Sequence, residues 1–195
     1  MNFVRVWFTG YVNPIRFLDA LKSKPAPHWG FYAQVLRSLM VSLLLYLPIA
    51  LLGRTPPTPS YLTFIPTEKY YTALIWLTPL VFMADWLLGA VIVHVVLRLS
   101  KLPSNMDQIL NITGMASLVI AAVLIVWDWL GFLVGGANQY FLGISHLLID
   151  VWWFVIIVTG LKRFLGVPVW FGIAISLLAF AATMPFAVIF MRAPF

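Results

Sequence analysis

An all-α bundle of five membrane-crossing helices is the fold this sequence predicts, and three observations predict it. The 195 residues are 63% hydrophobic and only 9% charged. The apolar residues gather into five runs, 31–52, 70–98, 109–133, 142–161 and 169–191. Each run matches or exceeds the roughly 20 residues that carry a helix across a hydrocarbon core. In lipid a segment must satisfy its own backbone hydrogen bonds, so each run should be a helix.

Little chain remains for anything else. The reading is one membrane domain over 31–195, preceded by a cytoplasmic or interfacial segment over 1–30. Residues 1–10 hold no apolar core of signal-peptide length, so the first run should serve as an uncleaved anchor. Cysteine is absent, which excludes disulfides, thiol nucleophiles and thiolate metal sites. The net charge of +6 does not point to nucleic acid, because the basic residues flank the spans, where they set orientation and meet anionic lipid.

The first element is a short amphipathic helix. Asn13 suits an N-cap and Pro14 the first helical position. Ile15, Phe17, Leu18 and Leu21 then oppose Arg16, Asp19 and Lys22, as in a helix lying at a membrane interface or packed under the bundle. Pro25 and Pro27 end it, and His28 reads as a solvated residue before span one. Prolines 56, 57 and 59 open the longest connection in an extended conformation. Span two is long and carries Pro79, a kink site. Pro103, Ser104 and Asn105 mark a tight turn, and the short connection after span three makes spans three and four antiparallel neighbours. On span five, Gly172, Ser176, Ala179 and Thr183 form a small-residue face for helix packing, and Gly131 and Gly135 make a GxxxG match at the end of span three. Asn111–Ile112–Thr113 matches a glycosylation sequon, but at the inner end of span three.

Orientation follows from lysine and arginine. Arg5, Arg16, Lys22, Lys24, Arg37, Arg98, Lys101, Lys162 and Arg163 fall on one side, nine against the three of Arg54, Lys69 and Arg192. The positive-inside rule then sets the N-terminus in the cytoplasm and the C-terminus outside.

Three of six acidic residues fall inside spans: Asp85, Asp128 and Asp150. A carboxylate at such depth costs a few kcal/mol on insertion scales and marks a functional hypothesis. Asp85 is near the middle of span two. Asp128 and Asp150 lie roughly 8–10 Å from the outer ends of their helices, and His146 shares a face with Asp150. One reading is an outward-opening pocket for a cation or protons, with Asp85 deeper. The other is interhelical glue, one or more aspartates being protonated or bonding to Trp N–H, Tyr O–H or backbone groups. His94 falls on nearly the opposite face from Asp85 and reads as a packing residue. The pattern implies no metal, cofactor or catalytic group; phosphate-loop, nucleophile and HExxH motifs are absent.

The organisation resembles the Yip family, polytopic membrane proteins that interact with Ypt/Rab GTPases, in its small prokaryotic form. The resemblance runs from the Asn13–Pro14 helix start through Asp85-Trp86-Leu87-Leu88-Gly89-Ala90 and His94-Val95-Val96-Leu97-Arg98 to Trp152-Trp153 and Gly160-Leu161-Lys162. Where such members often turn on Gly-Gly after span two, this chain has Ser100-Lys101-Leu102-Pro103, and a Tyr and Pro common in span three are absent from 111–120. The resemblance implies a membrane-organising or adaptor role and no catalytic residues. The short polar segment before span one argues against a Rab-type partner.

The expected protein is therefore a non-enzymatic inner-membrane protein acting through lipid, helix or self contacts, with membrane lipids, other membrane proteins or a second copy as partners. A small cation- or proton-coupled transporter using Asp85, Asp128, His146 and Asp150 is the alternative, and lipid handling a second one.

Overall fold

The computed structural model describes residues 2–23, 28–56, 60–134 and 139–190. The readings that rest on Lys24, Pro25, Pro27, Pro57, Pro59, Gly135, Met191 and Arg192 lie outside them. The described residues are helical and contain no strand. Five helical segments are long and apolar enough to cross a membrane: His28–Leu51, Thr67–Leu99, Met106–Val134, Tyr140–Leu165 and Val169–Phe190.

Two short helices precede them, where the sequence predicts one. α1 (Phe3–Val12) and α2 (Pro14–Lys22) form an antiparallel hairpin. Asn2 caps α1, its Oδ1 accepting from the Arg5 N–H at 2.9 Å. Asn13 serves both helices: its own N–H donates to the Thr9 carbonyl at 2.8 Å, and its Oδ1 accepts from the Arg16 N–H at 3.0 Å. Propensity conceals α1, because its valines, aromatic residues, threonine and glycine favour other conformations. Packing overrides that preference: Val6, Phe17, Leu18 and Leu21 are completely buried against α6 and α7.

α3 (His28–Val41) continues through a π-helical turn, Ser42–Tyr46, into α4 (Leu47–Leu51). Pro48 accounts for the irregularity. It has no N–H for the Leu44 carbonyl, and the Trp129 indole N–H supplies that bond at 2.8 Å. A 3-10 turn, Thr67–Lys69, leads into α5 (Tyr70–Leu99). The turn after α5 places Lys101 at φ 57°, the left-handed conformation that glycine adopts most easily.

α6 (Met106–Val134) is the central helix, packed against α1, α2, α3, α5 and α7. Its closest neighbour is α3. A Cβ on Gly114 would lie 2.5 Å from the Gly30 carbonyl oxygen, and one on Gly30 2.3 Å from that of Leu110. Asn111 is fully buried at this crossing and accepts from the Gly30 N–H at 2.8 Å. α7 (Gln139–Leu165) and α8 (Val169–Phe190) complete the bundle.

Apolar packing divides into two clusters. One joins the hairpin to α5, α6, α7 and α8 through Phe17, Leu97, Met115, Ile156 and Ile175. The other gathers Tyr46, Ile49, Tyr70, Tyr71, Leu74 and Phe82 at the opposite end. Both contribute to the wall of one large cavity.

Candidate functional site

The cavity has a volume of about 690 Å³ and takes wall residues from α3, its π turn, α5, α6, α7 and α8. Most of the wall is apolar. Besides Tyr46 and Tyr140, five acidic or basic side chains line it: Arg37, Asp85, Asp128, His146 and Asp150. They come from four helices, so only the assembled bundle creates the group.

Two pairings organise the charges. Asp128 on α6 and His146 on α7 meet at 2.7 Å between Oδ1 and Nε2. Arg37 on α3 stands 4.0 Å from the Asp85 carboxylate on α5. Its guanidinium also lies over the Phe82 ring, 4.0 Å from the centroid, and donates to Gln34 Oε1 at 3.4 Å. The Thr183 hydroxyl on α8 is within hydrogen-bond reach of Asp85 and donates to the Phe180 carbonyl at 3.2 Å. Asp150 has neither a hydrogen bond nor an ion pair among the described residues, but it lies in the field of His146 and Arg37.

The four acidic and histidine candidates therefore border a single space, with direct contact confined to Asp128 and His146. No bond or ion pair links Asp128 to Asp150. The indoles bond elsewhere: Trp86 to Thr113 Oγ1 at 3.0 Å, Trp127 to Ser145 Oγ at 2.8 Å, Trp152 to the Gly10 carbonyl at 3.1 Å and Trp153 to Ser117 Oγ at 3.2 Å.

Of the small residues on α8, Gly172 packs against Val158 of α7, whereas Ser176, Ala179 and Thr183 are on the cavity wall. Ser176 is fully buried, and its Oγ has no hydrogen-bond partner among the described residues. His94 is outside the cavity, its Nδ1 2.8 Å from Ser104 Oγ.

Arg37 is the wall residue that the sequence reading counts only as an orientation charge. It lies about 14 Å along its helix from His28 and faces the cavity. A signal was present: Gln34, Arg37, Ser38 and Ser42 recur at helical spacing, a polar stripe on an otherwise apolar span.

With Arg37 charged, three carboxylates face one fixed cation and one histidine. An acid-rich chamber with apolar walls suits a cation, an exchangeable proton or an organic molecule carrying a basic group. Among the described residues no three His, Asp or Glu side chains are close enough to hold a metal ion. No known family model, curated protein or solved structure matches the chain.

Proposed function

We propose that this chain is an integral membrane protein that binds a small organic cation with apolar substance in its central cavity. The observation that carries the reading is that three carboxylates and one arginine line one cavity of about 690 Å³. Interhelical glue gains from closing such a space, and buried ion pairs seldom stabilise more than apolar packing of the same volume. A ligand amine near Asp150 would gain an ionic partner there, while aliphatic or aromatic groups meet the wall. The basic residues clustered toward one end support a cytoplasmic N-terminus in a prokaryotic inner membrane. Exchange of the solute then occurs at the opposite face, near the start of α7.

The test is thermal stability of the purified protein in detergent with sodium, magnesium, hexylamine and hexanol. Hexylamine should raise Tm saturably, as a ligand of the folded state must, and the rise should vanish in Asp150→Asn. An equal response to hexanol, or none to any cation, would overturn the reading. A Yip-type membrane-organising role is the second proposal, supported by the Asn13–Pro14 junction, which in this chain forms the tip of a helical hairpin. Partner or self contacts captured by crosslinking in native membranes test it.

A further inference from the structure

We propose that the α1–α2 hairpin is sunk into the leaflet at the basic end of the bundle, with its outer face against acyl chains. The bundle is then wider in that leaflet than in the other. This rests on the membrane reading above and adds the depth and shape of the N-terminal segment.

The hairpin's direction comes from its contacts. Phe3 at the start of α1 packs edge-on against Trp29, the second residue of α3, with centroids 5.7 Å apart. Seven residues later Gly10 sits against Val119, near the midpoint of α6, where a Cβ would lie 2.6 Å from Val119 Cγ2. Its carbonyl accepts from Trp152, at the midpoint of α7. α2 returns along the same helices. Leu18 reaches the crossing of Gly160 and Ile112, and Asp19 pairs with Arg163 at 2.6 Å. Lys22 donates to the Arg163 carbonyl at 3.2 Å. The hairpin thus runs along α6 and α7 to half their length, rather than across their ends.

Its outer face fits lipid. Val4, Phe8, Val12 and Ile15 are exposed, and Val12 at the tip is 84% exposed. Such a row of large apolar residues is costly in water and favourable in hydrocarbon. Lys22 and Arg163 are at the base, on the side of Arg98, Lys101 and Lys162, placed for anionic headgroups. Arg16, one turn below the tip, reaches the headgroups along its own aliphatic stem. Two helices, each about 10 Å across, then add to five in one leaflet and to none in the other.

The chain has no cysteine, so single-cysteine variants carry one label each. Val12→Cys, Lys22→Cys and Val126→Cys, the last on the exposed face of α6, are labelled with a fluorophore. Each full-length protein is reconstituted in vesicles of zwitterionic and anionic lipid containing mid-chain brominated lipid. Quenching at Val12 should approach that at Val126 and exceed that at Lys22 several-fold. The labelled protein should also partition several-fold in favour of small vesicles over large ones. Strong quenching at Val126 with none at Val12 overturns the hairpin inference alone. Absence of quenching at Val126 overturns the membrane reading with it. Equal partition between vesicle sizes overturns the asymmetric shape.

Discussion

Replacing Arg37 with methionine removes the only fixed cation lining the cavity among the described residues and leaves Asp85 without its charged neighbour. The two groups stand 4.0 Å apart, where unit charges interact by about 4 kcal/mol at an effective dielectric of about 20. The stacking over Phe82 at 4.0 Å adds about 1 kcal/mol. Removing arginine recovers its own desolvation cost, but Asp85 keeps the cost of its burial. The side chains remain 18% and 26% exposed, which places the net loss below the range for a fully buried pair, at about 2–4 kcal/mol. For a chain of this size that lowers Tm by about 4–16 °C, read by scanning fluorimetry in detergent at one scan rate. The double variant, Arg37→Met with Asp85→Asn, no longer buries an orphaned charge and should recover at least half of the loss. A single variant within about 2 °C of the parent, or a double variant no more stable than the single, refutes the pairing.

Three further outcomes follow from packing and backbone geometry. Gly114→Ala drives a Cβ to 2.5 Å from the Gly30 carbonyl oxygen and should cost about 1–3 kcal/mol. Gly143→Ala, where nothing lies within 4 Å, should stay within about 0.5 kcal/mol of the parent; equal thermal shifts for the two would refute the close α3–α6 crossing. Lys101→Gly removes a left-handed lysine at φ 57° and should raise stability by about 1 kcal/mol, seen as a higher Tm. Trp129→Phe leaves the Leu44 carbonyl unpaired beside Pro48 and should cost about 1–3 kcal/mol. Adding Pro48→Ala restores an N–H near that carbonyl, so the double variant should unfold at a higher temperature than Trp129→Phe alone.

The five long helices were legible because their signal is local: an unbroken apolar run needs no knowledge of its neighbours. Ends differ by a few residues, as at Met106 against the expected 109 and Leu165 against 161, where amphipathic turns extend past the apolar stretch. α1 was hidden because its helicity depends on Val6 and Gly10 meeting α6, a tertiary effect. The cavity was legible as one of two readings, a pocket of Asp128, Asp150 and His146 with Asp85 deeper, without its distances or Arg37. Their grouping depends on helix rotation, and Asp128 finds His146 through the facing of α6 and α7, which composition does not encode. Arg37 was hidden by a rule that counts charges near helix ends, although the polar stripe around it was readable. Lys101 takes a left-handed backbone in the turn after α5, a conformation that a lysine in the sequence does not signal.

The irregular helices and the polar wall fall in the same half of the bundle. The π turn before Pro48 holds the wall residues Leu45 and Tyr46 and follows Val41; Pro79 lies less than two turns before Asp85; Pro185 is followed by the wall residues Phe186, Ala187 and Val188. The half that holds the hairpin is different: Gly30 and Gly114 bring backbones into contact, and Phe17, Ile109, Ile112 and Leu118 are fully buried. Each proline removes a backbone bond, and each missing bond lowers the cost of local bending. Local bending is therefore least costly in α4, α5 and α8, which carry those prolines, and α6 and α7 carry none.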